Sequence, residues 1–195
     1  MEKRRWILRW SKVLAILFVA SAISGVAHEC GHSLALMALG YHPRISFKAG
    51  RVETYDAKGN LDPSLPPIEK IVSSAGGPAT TLLLAACFTL LYLKRRKSFP
   101  LFAFAIINAV SRLNMLVDGF NSDEGNISEI LLKLMGNQGA FLVPLAEWTV
   151  CIALSCFLVS QQEFFKKTYW LIPLFFVIGG ASMVTSFMIL GHILG

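Results

Sequence analysis

Charge is what this chain has least of. Only 15% of its 195 residues are Asp, Glu, Lys or Arg, while 54% are hydrophobic. A soluble globular domain carries about 25% charged residues, so the composition argues against one water-solvated core. Cysteine is also scarce. Cys30, Cys87, Cys151 and Cys156 all sit in apolar segments without a CxxC pair, which excludes a secreted disulfide framework and leaves them as small apolar residues. There is no internal repeat and no low-complexity tract, so neither a solenoid nor a long linker is expected. The net charge of +6 is not spread as a nucleic-acid surface would need. Its positives gather in Lys3-Arg4-Arg5 and Lys94-Arg95-Arg96-Lys97, at the ends of apolar runs, where they suit lipid headgroups.

What the chain has instead is apolar runs of membrane-spanning length. Five are read, over residues 10–40, 71–93, 99–117, 141–159 and 169–194. The expected fold is an all-α polytopic membrane protein with about five transmembrane helices, forming one membrane-embedded domain over residues 1–195. The N-terminus imitates a signal peptide, with small residues Gly25 and Ala27 after an apolar run, but that run continues through Leu34 to Leu39 and reads as a retained span. Between the first two spans, segments 44–48 and 51–55 alternate like short strands and predict a small β-hairpin. Its edge would suit an extended peptide. A short amphipathic helix is expected over 127–135. Eleven Lys and Arg lie on the N-terminal side of the membrane against six on the other, which favours a cytosolic N-terminus at the cell membrane.

The first span contains His28-Glu29-Cys30-Gly31-His32, an HExxH pattern. Residues four apart on a helix share a face, so both imidazoles can reach one Zn2+ while Glu29 points beside it. Buried in hydrocarbon, each ionisable group costs roughly 2.5 kcal/mol or more unless paired or ligated. The plain alternative is two hydrogen-bonded core histidines with a chance Glu between them. Zinc would lower the pKa of a held water to about 7, and Glu29 could accept its proton. Zinc also wants a third protein ligand.

This HExxH helix, Ala75-Gly76-Gly77-Pro78 at the start of the second span and Val117-Asp118-Gly119 after the third together resemble the intramembrane zinc metalloproteases of the site-2 protease family. The resemblance covers residues 10–126; the amphipathic helix and two further spans over 127–195 lie outside it. It implies a membrane-embedded zinc endopeptidase acting on a transmembrane or membrane-proximal peptide, with His28 and His32 as metal ligands and Glu29 as general base. It also implies that Gly77 and Pro78 belong to the site, with Thr81 standing where the family has an Asn. The family's Asn-x-x-Pro has no proline here, only Asn114-Met115-Leu116-Val117. The third ligand stays open between Asp118, which matches Asp-Gly literally, and Asp123, which fits the spacing from Asn114. Either requires the polar segment after the third span to fold back toward the histidines, through protein or a wet cavity. The family also runs its HExxH helix inward, opposite to the charge count.

Asn108 and Arg112 fall one turn apart and could support an Asp or a substrate strand, or could simply be a helix contact and a snorkelling arginine. Two rivals from other classes stand beside the peptidase. One is a metal-binding, non-proteolytic membrane partner or chaperone; the other is a divalent-cation transporter, for which few carboxylates and histidines are available on other spans.

Overall fold

The computed structural model describes residues 2–46, 51–56, 59–61, 64–95, 98–110 and 123–162. In chain order these form α1 (Glu2–Ala38), β1 (His42–Ser46), β2 (Arg51–Tyr55), α2 (Pro67–Lys94), α3 (Phe99–Val110), α4 (Asp123–Met135) and α5 (Asn137–Gln161). The expected helical architecture and the hairpin between the first two long helices are present. Among the described residues, two helices are long and apolar enough to cross a membrane, over Trp10–Ala38 and Pro67–Lys94. The third run is helical to Val110, the fourth lies within α5, and the fifth falls outside the described residues.

Each long helix ends for a local reason. In α1, Gly40 adopts φ 87°, Tyr41 N–H donates to Leu36 O at 3.1 Å and Gly40 N–H to Met37 O at 3.0 Å. This is a Schellman stop, which favours a residue without Cβ at the left-handed position. The chain then turns into the antiparallel hairpin, with His42 opposite Tyr55 and Ser46 opposite Arg51. Asn60 N–H donates to the Asp56 carboxylate at 2.8 Å, and Leu61 bridges back to Tyr55, partly covering the outer edge of β2. Proline opens α2, where Pro67 occupies a first-turn position whose N–H would have no partner anyway. Tyr41 O–H donates to Glu69 at 2.6 Å and ties the end of α1 to that first turn.

The helices α1 and α2 pack antiparallel and share a core with α3, in which Leu17, Tyr92, Phe102 and Ile106 are buried. Phe88 and Phe104 stack at 4.8 Å across α2 and α3. Helix α5 joins through Leu158, and α4 packs on α2 and α5. A polar contact crosses the core. Fully buried Asn108 donates from Nδ2 to Ser24 Oγ and to Phe104 O, each at 2.8 Å, fixing α3 against α1 one turn before His28. Asn108→Ala is expected to cost about 1–2 kcal/mol of unfolding free energy, the usual worth of losing a buried hydrogen bond and stranding its partner. A loss of only a few tenths would show that this contact does not set the packing.

Candidate metal centre

The HExxH turn faces α2. His28, Glu29 and His32 are each 8% exposed, and the turn lies nearer the hairpin end of α1 than its middle: His32 stands six residues, about 9 Å, before Ala38. Helical spacing puts the two imidazoles side by side, with ring centroids 4.6 Å apart and planes at 89°. Their Nε2 atoms are 3.1 Å apart.

This packing depends on glycine. A Cβ at Gly77 would collide with His28 Cε1 and His32 Nε2 and lie 2.6 Å from His28 Nδ1. One turn of contact further, Gly31 and Gly76 touch backbone to backbone; a Cβ on Gly76 would stand 2.9 Å from Ala35 Cβ, and one on Gly31 would meet the Gly76 carbonyl. Small residues on both helices let the axes approach this closely. Pro78, next to Gly77, is buried within α2. Buried Thr81 turns its hydroxyl back onto its own helix, donating to Pro78 O at 2.9 Å with Gly77 O at 3.2 Å, so it presents no donor to the site.

Asp123 begins α4, and its carboxylate meets the histidines. Oδ2 is 3.0 Å from His28 Nε2 and 3.1 Å from His32 Nε2, with the side chain 27% exposed. Burial disfavours its charge, but the two imidazoles outweigh burial and hold the carboxyl below the usual carboxylate range. Helix α4 starts one turn earlier than the amphipathic pattern from Ile127 suggested, which is why its first residue reaches the site. Asp118, Arg112 and Asn114 lie outside the described residues. Asn108 bonds to Ser24, one turn before His28, and its amide hydrogens are engaged in the helix contact.

Among the described residues, His28, His32 and Asp123 are the group able to hold a metal ion. Zinc bonds of about 2.0–2.1 Å in tetrahedral geometry set donors about 3.3 Å apart. The three donor atoms stand 3.0, 3.1 and 3.1 Å apart, so little movement would bring them to one ion. Two imidazoles and a carboxylate also form a donor set suited to zinc, with a fourth position left for water or substrate. Cys30, half-buried with a free thiol, is not part of the group. Sequence reading missed Ser73, whose backbone carbonyl accepts a hydrogen bond from His32 Nδ1 at 2.7 Å. A backbone acceptor leaves no residue signature. Scans against protein-family models, curated proteins and solved structures find no match to this chain.

Proposed function

We propose that this chain is a multi-pass membrane zinc endopeptidase, resembling the site-2 proteases, that hydrolyses a transmembrane or membrane-proximal peptide bond. The observation that carries this reading is the convergence of His28, His32 and Asp123 within 3.0–3.1 Å beside buried Glu29. Two long apolar helices and the large apolar side chains they expose, among them Leu14, Val19, Ile23, Leu34 and Leu83, support the membrane setting. In this proposal the chain has about five spans, and its partners are the bilayer and a membrane protein or peptide.

His28, His32 and Asp123 would hold the ion, Asp123 rather than Asp118 being the third ligand in this reading. A bound zinc would supply a Lewis acid and make water a nucleophile at neutral pH. Glu29, on the same turn as His28, takes the proton of the attacking water on its carboxylate and returns it to the leaving amine. Gly77 keeps bulk away from the imidazoles, and Gly76 lets α2 approach α1 beside them. The substrate must be extended where it is cut, because a helical backbone engages its own carbonyls.

The hairpin supplies a place to extend it. The outer edge of β2 is partly covered by Leu61, so the edge of β1 is the one proposed to add a peptide strand. Val52→Pro, which disturbs the ladder opposite Ile45, is expected to slow cleavage of a membrane peptide at least fivefold while zinc content is unchanged; unchanged cleavage would remove the hairpin from the mechanism. Phe47, the other position suited to this test, lies outside the described residues.

The test of the whole reading is cleavage of membrane-embedded peptides by purified chain in liposomes. Hydrolysis that a chelator abolishes and zinc restores is expected. Stoichiometric zinc without hydrolysis would favour the non-proteolytic metal-binding partner, a reading to which Thr81 lends some support because its hydroxyl serves its own helix.

A further inference from the structure

We propose that the peptide carbonyl of Ser73 is the positioning group of this centre: it holds His32 in the Nδ1–H tautomer and so directs the Nε2 lone pair at the point between His28 and Asp123. The proposal rests on the metal reading for its purpose, though its geometry stands independently. A carbonyl oxygen only accepts, so the hydrogen in the 2.7 Å contact belongs to His32 Nδ1. A neutral imidazole carries one N–H, which leaves Nε2 with a lone pair. In that neutral form Nε2 faces Asp123 Oδ2 and His28 Nε2, each at 3.1 Å, which is where an ion shared by the three would sit.

Metal-binding histidines usually gain their orientation from a carboxylate or a carbonyl on the second nitrogen. Here the carbonyl comes from the wall of a neighbouring helix, which side chains normally keep out of reach, since packed helix axes stand about 8–10 Å apart. Gly77 removes the side chain where the imidazoles sit, and Gly31 and Gly76 let the two helices close up beside them. Pro78 adds to this: it has no N–H to offer the Ser74 carbonyl, so the helix beside Ser73 lacks one intrahelical hydrogen bond. The glycine-proline segment thus does two things. It admits the imidazoles, and it brings a backbone acceptor to one of them.

Because the acceptor is backbone, the Ser73 side chain should be dispensable and the peptide link should not. Ser73→Ala is expected to change zinc affinity less than twofold. Replacing residue 74 by its α-hydroxy acid turns the Ser73 carbonyl into a weaker ester acceptor and is expected to lower zinc affinity about tenfold, the lower end of what losing such a partner costs. The same ester placed at residue 80 controls for the lost helix N–H. Equal affinity for the two esters would overturn the proposal. A second readout needs neither metal nor a variant that folds less well. In metal-free wild-type protein at pH 8, 15N NMR of labelled histidine should find His32 protonated on Nδ1, and an Nε2–H signal for His32 without an Nδ1–H one would overturn the assignment. An Nδ1–H signal in a chain that takes no zinc would contradict the metal reading and leave the role of Ser73 in fixing the tautomer standing.

Discussion

Glu29→Gln is expected to leave one zinc per chain in place and to reduce peptide hydrolysis by about 10²- to 10⁴-fold, the usual worth of a positioned general base. The substitution keeps the side chain's shape and removes only its ability to take a proton. Glu29 is 8% exposed in a packed turn, so an isosteric amide disturbs little, and replacing a buried carboxylate by a neutral group carries no desolvation penalty. None of the three metal-capable donors is touched. The measurement is the rate of product formation from a membrane peptide in liposomes, followed by mass spectrometry, with zinc measured on the same preparation. Activity within threefold of wild type would remove Glu29 from the chemistry even if the metal is present.

Gly77→Leu should have the opposite signature, with loss of metal as well as activity. The Cβ alone would overlap ring atoms of both His28 and His32, and of these His32 is held by Ser73 rather than free to swing away. Either α2 moves off α1 or the imidazoles leave their rotamers. Overpacking of this kind costs about 1–3 kcal/mol, and zinc affinity is expected to fall at least 100-fold. Ala79→Leu, two residues on at an exposed position of α2, is the control and should keep wild-type zinc binding. Zinc binding by Gly77→Leu equal to that of the control would mean that the close contact of the two helices is not needed for the centre.

The parts of this site that were legible in the sequence are those governed by helical period. His28 and His32 are four apart in an apolar run, and that spacing alone puts them on one face. The hairpin was legible from alternation between two long apolar runs, and its observed strands lie within two residues of the expected ones. Gly77 came into view through resemblance rather than physics, because a glycine in a helix does not announce what packs against it. That Asp123 meets the histidines depends on where α4 begins. Hydrophobic pattern located that helix from Ile127 onward, but its first turn, Asp123-Glu124-Gly125-Asn126, is polar and has no apolar period to read. An Asp in the first turn is favoured by the helix dipole, which accords with the earlier start. The same limit applies to α1. Hydropathy marks where a membrane span would begin, near Trp10, whereas the helix itself extends back to Glu2 because nothing in the basic segment breaks it. The Asn108–Ser24 bond and the Ser73 carbonyl were illegible for a different reason: both pair residues far apart in sequence, one of them through backbone.

The most direct test of the proposed centre is the zinc content of purified wild type, Asp123→Ala and Asp118→Ala under matched, chelator-washed conditions. One zinc per chain is predicted for wild type and for Asp118→Ala, and little or none for Asp123→Ala. Wild-type protein without zinc, or zinc that survives Asp123→Ala and is lost in Asp118→Ala, would contradict the assignment of His28, His32 and Asp123 as one metal site.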